Sequence, residues 1–143
     1  MAITQTLTNV FKQDCLDGAQ NLGNGGDTIK IDLYTSSASL SATTSAYTTS
    51  NEVSGTGYTA GGATLSSQAV SLDTSNSVAF FDAADPSFTS ATITARGALI
   101  YNNSKSNAAI AVLDFGSDFS SSNGTFQIQF PTAAHNTALI RIS

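Results

Sequence analysis

Seven short segments of this sequence carry the apolar patterns typical of β-strands, and polar residues separate them. The clearest segment is 28–34, in which Ile29, Ile31 and Leu33 alternate with Lys30, Asp32 and Tyr34. Because successive side chains of a strand point to opposite faces, this alternation predicts a half-buried strand whose second face is wet. The other predicted strands are residues 69–72, 78–82, 91–101, 108–115, 125–130 and 138–142.

Asn, Ser, Asp and Gly residues predict turns between these strands, including turns at 102–107 and 120–124. The first of these turns joins 91–101 to 108–115 and indicates a hairpin. Residues 108–115 are apolar on both faces, which favours a central strand. At 143 residues the chain suits one core, so the pattern predicts a mainly β fold: a single-domain antiparallel β-sandwich, with a jelly-roll order among the alternatives.

One amphipathic helix is predicted at residues 6–17, with Thr4 or Thr6 as its cap and Gly18 at its end. The helix is expected to cover a face or an end of a sheet, and the alternative is that it docks on a neighbouring subunit. Its inward positions, which are spaced at helical intervals, are Leu7, Val10, Phe11 and Cys15. The lone Cys15 excludes an intrachain disulfide and is expected to be a buried small apolar residue.

Residues 35–62 contain few large apolar side chains among many small and hydroxyl residues. A structureless stretch of this length is unusual in one domain, so it is expected to be a packed functional loop or an arm that contacts a partner, and the arm is favoured. Its end and the residues after it, 52–65, hold four glycines without the spacing of a Walker loop or a dinucleotide-binding fingerprint. These glycines therefore indicate backbone shape rather than chemistry.

The side chains that enzymes and metal sites need are scarce, since the chain has one His, one Cys and ten carboxylates. His135 lies in a connection of small residues, and one His with one Cys cannot supply an ordinary zinc site. Asp82 and Asp85 precede Pro86 and favour a turn over a calcium site, which would need a closing Glu. We expect no catalytic residue, no cofactor and no metal site.

Charge excludes one class of partner. The net charge is −5, and the five basic residues are scattered, so nucleic-acid binding is not expected. No apolar run approaches the length of a membrane span, and the first residues lack the pattern of a signal peptide, so we expect no membrane partner and synthesis in a cytoplasm. With 40 Ser and Thr residues and few charges to protect its sheet edges, the chain is expected to be a homo-oligomer.

Five motifs in order give the chain a family resemblance: KIDLYTSSA at 30–38, NEVSGTGYTAGG at 51–62, TITARGALIYN at 92–102, LDFG at 113–116 and ALIRI at 138–142. The sequence resembles small structural proteins of tailed-phage virions over most of residues 10–142. The resemblance implies a virion location. It does not fix which part of the particle. Together with the scarcity of catalytic side chains, the hydroxyl-rich β-sandwich and the predicted arm, it favours a capsid decoration, or cement, protein that binds the major capsid protein from outside, by analogy as a trimer. The alternative is a protein associated with the tail, baseplate or fibre.

Four residues are candidates for an interface in such an assembly: Tyr47, Glu52 and Tyr58 in the predicted arm, and Arg96 in the middle of strand 91–101. Arg96 is expected to be a half-exposed strand residue or to form a salt bridge between subunits. A carbohydrate-binding module is a further alternative, because exposed tyrosines stack on sugars. The tyrosines that would do so are Tyr34, Tyr47, Tyr58 and Tyr101.

Overall fold

Two antiparallel β-sheets pack face to face in a computed structural model that describes residues 2–143. In chain order the elements are β1 (Thr6–Leu7), α1 (Asn9–Asp17), β2 (Ile29–Tyr34), β3 (Ala63–Thr64), β4 (Ala69–Asp73), β5 (Val78–Asp82), β6 (Ser87–Asn102), β7 (Ala108–Gln127) and β8 (Ile140–Ile142). The large sheet has the order β1-β7-β6-β2-β3, and the small sheet has the order β4-β5-β8. The predicted mainly β sandwich with one short helix is confirmed.

The hairpin of β6 and β7 dominates the large sheet and is longer than predicted. Pairing runs from Asn102 and Ala108 to Ser87 and Gln127. The predicted turn at 120–124 is wrong, because Ser121 pairs with Ile93 inside the hairpin. Residues 115–118 and Asn123, whose φ is 49°, form bulges there, and bulges use the same small polar residues as turns.

The core lies between the sheets, where Ile29, Ile31 and Leu33 of β2 are fully buried. The second face of β2 is also buried, so the prediction of a wet face is wrong. Asp32 and Tyr34 are 0% exposed. Residues 35–62 cover them, a long-range contact that the alternation of β2 does not encode.

Segment 35–62, which we call the loop, is packed on the outer face of the large sheet. The Val53 N–H donates to the Leu33 carbonyl at 2.9 Å, and Leu40 and Tyr47 pack in a second apolar cluster with Leu99 of β6. Of the two alternatives for this segment, the structure shows the packed loop. The favoured arm is wrong, because the loop uses its apolar side chains within its own chain.

Two glycines explain how the loop approaches the sheet so closely. Gly57 and Gly62 have φ values of 81° and 76°, which L side chains rarely adopt. A Cβ on Gly57 would lie 2.6 Å from the Ala91 Cα, and one on Gly62 would overlap the Ile31 carbonyl oxygen and lie 2.6 Å from the Asp32 Cα. The interpretation of these glycines as backbone shape is therefore consistent with the structure.

The helix is shorter than predicted at its start, because Thr6 and Leu7 pair with β7 instead. Thr8 is the N-cap, with its hydroxyl accepting from the Phe11 N–H, and Gly18 ends the helix at φ 68° as predicted. Phe11 is buried in the main core, so α1 covers its own sandwich. The predicted burial of Cys15 is wrong: the side chain is exposed.

Candidate functional site

Three of the four interface candidates meet in one hydrogen-bonded group on the loop. The Glu52 carboxylate accepts from the Tyr47 hydroxyl at 2.8 Å, the Tyr58 hydroxyl at 2.7 Å and the Gly61 N–H at 2.7 Å. The same Tyr58 oxygen accepts from the Leu33 N–H at 2.9 Å, which ties the group to β2. These side chains therefore hold the loop together.

The other two tyrosines reach the loop from the sheet below. The Tyr34 hydroxyl donates to the Thr48 carbonyl at 2.6 Å, and the Tyr101 hydroxyl donates to the Gly61 carbonyl at 2.7 Å. The Tyr101 ring stacks on Tyr47 with centroids 4.9 Å apart. All the tyrosines of the chain thus join two carboxyl groups in one set, which we call the tyrosine–carboxylate cluster: Asp32, Tyr34, Tyr47, Glu52, Tyr58 and Tyr101.

Asp32 is the unusual member of the cluster. Its carboxyl group is fully buried, and neither oxygen has a hydrogen-bond partner. The nearby Tyr34 hydroxyl has a single proton, which it donates to Thr48. An ionised carboxylate in such a place is strongly disfavoured, so the group is neutral in the folded protein at neutral pH.

Burial sets the electrostatics of the cluster. It raises the pKa of Asp32 to about 8, and the nearby Glu52 charge adds to the rise. Burial also raises the pKa of Tyr101 to about 12 and those of the other three tyrosines further, with the charge of Asp32 contributing at each ring. The cluster therefore keeps its four phenols and Asp32 protonated at neutral pH.

Arg96 lies apart from this cluster. Its Nε lies 3.2 Å from the Asp114 Oδ1 in the same chain, and the two side chains are 34% and 28% exposed. The Gly116 N–H and then the Arg96 guanidinium hold the pKa of Asp114 below its usual value. The half-exposed strand position agrees with the structure, whereas the carboxylate that Arg96 pairs with belongs to its own subunit.

The tyrosines do not form the stacking surface that a carbohydrate-binding module needs. Tyr34 and Tyr101 are buried, and Tyr47 and Tyr58 are partly buried with their hydroxyls bound to Glu52. The expectation of four exposed rings is wrong, because the loop covers the face that carries them.

Three of the five exposed large apolar side chains lie instead on the small sheet. Leu72 of β4, Ala79 of β5 and Ile142 of β8 are neighbours in one row, with Leu72 68% and Ile142 52% exposed. Val70 is 54% exposed on the same face. We call Val70, Leu72, Ala79 and Ile142 the apolar row. A groove of about 380 Å³ continues from Val70 and Ile142 to Phe11 and Cys15 of α1.

Within residues 2–143 no three His, Cys, Asp or Glu side chains come close enough to hold a metal ion. His135 lies 3.3 Å from Asp73, at the end of β4. The same part of the chain contains no helix of the length and apolarity needed to cross a membrane.

No protein-family model, characterised protein or solved structure matches this chain. The function must therefore be argued from the residues and their geometry.

Sequence reasoning missed Asp32 as a member of the site, since its place in the alternation assigned it to a wet face. One signal was present in the loop, where Leu40, Tyr47, Val53 and Tyr58 need a surface on which to pack. The large sheet supplies that surface, and the acid beneath it is buried as a consequence.

Proposed function

We propose that this chain is a structural protein of a tailed-phage particle, a decoration protein that binds the outside of the capsid as a homo-oligomer. The proposal starts from the resemblance of its motifs to virion proteins. The structural observation that supports it best is the apolar row, which holds three of the five exposed large apolar side chains, the other two being Leu16 and Phe119. Covering such a row stabilises an association by about 25 cal/mol per Å² of apolar surface.

The remaining surface suits a protein that binds other proteins by many weak contacts. Exposed Ser and Thr residues dominate it, and of the five basic residues Arg96 and Lys105 face carboxylates of their own chain. A net charge of −5 opposes contact with packaged DNA and does not oppose contact with protein.

The mechanism is clamping by multivalent contact. Each copy of a trimer places its apolar row against a neighbouring copy or a capsid subunit, and contacts within one oligomer act together because the first raises the effective concentration of the others. Such contacts oppose the separation of capsid subunits under internal pressure. Individually weak contacts are sufficient when an oligomer spans several subunits.

The test combines oligomeric state with capsid binding. The chain and a variant with Leu72→Ser and Ile142→Ser are compared by light scattering and by cosedimentation with empty phage capsids. Phe119→Ser is the matched control, since Phe119 is 52% exposed like Ile142 but lies on β7. We expect the double variant to lose oligomer and capsid binding and the control to keep both.

Two results would contradict the proposal: a monomer that ignores capsids, or a double variant that binds them as well as the control does. Counting copies per particle separates a decoration protein, with hundreds of copies, from a tail component with few. A melting temperature that rises with added sugar would favour the carbohydrate-binding alternative.

A further inference from the structure

The backbone of the loop lies directly against β2 at Asp32. Gly62 packs against Ile31 and Asp32 so closely that a single added methyl group would overlap the strand. Gly61, the residue before it, is buried and bonded through both its N–H and its carbonyl. The Asp32 side chain is fully buried, so a charge on it is not hydrated in the closed structure.

Burial chiefly, and then the Glu52 charge, raise the pKa of Asp32 to about 8, although the Tyr34 hydroxyl and Lys30 lower it in part. The groups that face Asp32 therefore compensate such a charge incompletely. Glu52 carries the like charge and is fixed in place by three donors. Lys30 is the one cation of the set, and its Nζ lies beside Gly61, while neither Asp32 oxygen receives a hydrogen bond. The titratable and charged groups around Asp32 are Lys30 and Tyr34 of β2, Tyr101 of β6, and Tyr47, Glu52 and Tyr58 of the loop.

The two sides of β2 differ in how easily they open. Its inner side is the main core between the sheets, whose loss would unfold the domain. Its outer side is covered by the loop, which is held by backbone bonds such as Val53 N–H to the Leu33 carbonyl and Thr92 N–H to the Thr56 carbonyl, and by apolar packing in both clusters. Water therefore reaches Asp32 most readily when the loop lifts.

We propose that the loop is a pH-dependent flap over the large sheet, held closed while Asp32 is uncharged and released when the Asp32 carboxyl group loses its proton. Opening hydrates the carboxylate and separates it from the charge of Glu52. The main core then loses Val53 of the loop and keeps its members from the two sheets. The small sheet stays folded, because no hydrogen bond described within residues 2–143 joins it to the loop.

Proton linkage fixes the size of the effect. In the closed form Asp32 keeps its proton, whereas in the open form it loses the proton once the pH exceeds the ordinary pKa of an aspartate. The ratio of open to closed form therefore rises about tenfold per pH unit. The rise begins near pH 4 and levels off near pH 8, where the closed form also loses its proton.

Hydrogen exchange of the native protein tests the flap directly. After correction for the intrinsic exchange rate, protection of the Val53 and Gly61 amides should fall about tenfold per pH unit between pH 5 and 8. Amides of β5 on the small sheet exchange through global unfolding, so their protection should stay well above that of the loop amides at every pH. Loop protection that does not change with pH, or that equals the protection of β5, would overturn the proposal.

The tyrosines supply a second readout, since the chain has no Trp and all four of its tyrosines lie in the cluster. Tyrosine fluorescence and near-ultraviolet circular dichroism should change with a midpoint at or below about pH 8, while far-ultraviolet circular dichroism stays constant. Asp32→Asn should abolish the change, and Asp114→Asn, at a surface acid, should retain it. A change that persists in Asp32→Asn would refute the assignment to Asp32. If that variant does not fold, the exchange data on the native chain decide.

Discussion

Asp32 should give this protein its highest stability in mildly acidic solution. Burial raises its pKa from 3.8 to about 8, so the folded state keeps a proton that the unfolded chain releases. The group therefore stabilises the fold fully below about pH 4, and this stabilisation is lost as pH rises towards 8, by up to about 1.4 kcal/mol per unit. Over about four units the free energy of unfolding falls by about 5 kcal/mol.

Other carboxylates set the acid limit of this range. Asp27, Asp73 and Asp114 have pKa values lowered chiefly by hydrogen bonds from Asn21, Asn76 and Gly116. Their contribution has the opposite sign, because it is present above the ordinary pKa of an aspartate and is lost as pH falls below about 4. The maximum of stability is expected at about pH 4 to 5, between the two effects.

Asp32→Asn is the perturbation that isolates the buried acid. At pH 8 the variant should exceed the native chain by about 2 to 4 kcal/mol, since it avoids the ionisation penalty and leaves an unpaired amide that costs about 1 to 3 kcal/mol. At pH 4 the order should reverse, because only the amide term remains. Urea unfolding, followed by far-ultraviolet circular dichroism at each pH, measures both differences.

Asp114→Asn is the control, and its stability should fall between pH 4 and 8 with the native slope. If the native chain loses less than about 1 kcal/mol over this range, or if Asp32→Asn keeps the slope, the reasoning is refuted. If the loop opens locally, the loss in the free energy of unfolding cannot exceed the free energy of loop opening. A decline in stability that stops before pH 8 therefore agrees with a flap.

Three further changes test how the loop, the helix and Arg96 are held. Gly62→Ala should destabilise the fold by about 3 kcal/mol or more in urea unfolding. Gly116→Ala is the control, because its Cβ would meet open space, and it should cost about 1 kcal/mol. Equal effects would contradict the close approach of Gly62 to β2. Thr8→Ala should lose about 1 to 2 kcal/mol in the same assay, with Thr8→Ser near neutral, since the hydroxyl caps α1 and donates to the Ala109 carbonyl at 2.9 Å. Arg96→Met should lower the free energy of unfolding by less than about 1 kcal/mol and leave the molar mass in light scattering unchanged. Loss of the oligomer in this variant would support the hypothesis of an intersubunit salt bridge.

The sequence predicts the strands well where their pattern is local. Ile29, Ile31 and Leu33 face the core because side chains alternate along a strand, and β5 has the predicted bounds. The pattern fails in the second half of β7, where Ser121 and Gly124 look like turn residues. Small polar residues with positive φ serve turns and bulges equally, and only the strand opposite distinguishes the two.

Burial of the second face of β2 depends on residues far along the chain. Lys30, Asp32 and Tyr34 read as a polar face because nothing near them in sequence covers them. The loop supplies that cover through Tyr58 and Gly62, and its path depends on glycine conformations that composition does not specify. The interface candidates of the loop are polar or aromatic residues, namely Tyr47, Glu52 and Tyr58. The same properties let these residues fix the loop to the sheet.

An acid at position 32 is a poor choice for stability alone. Asn has nearly the same size, does not ionise, and would leave the fold indifferent to pH in the range where Asp32 destabilises it. A buried residue that opposes the stability of its surroundings, with no hydrogen bond in return, marks a position where function outweighs packing. Since Asp32 lies beneath the loop that all four tyrosines fix in place, the function that we propose for this position is control over whether that loop is closed.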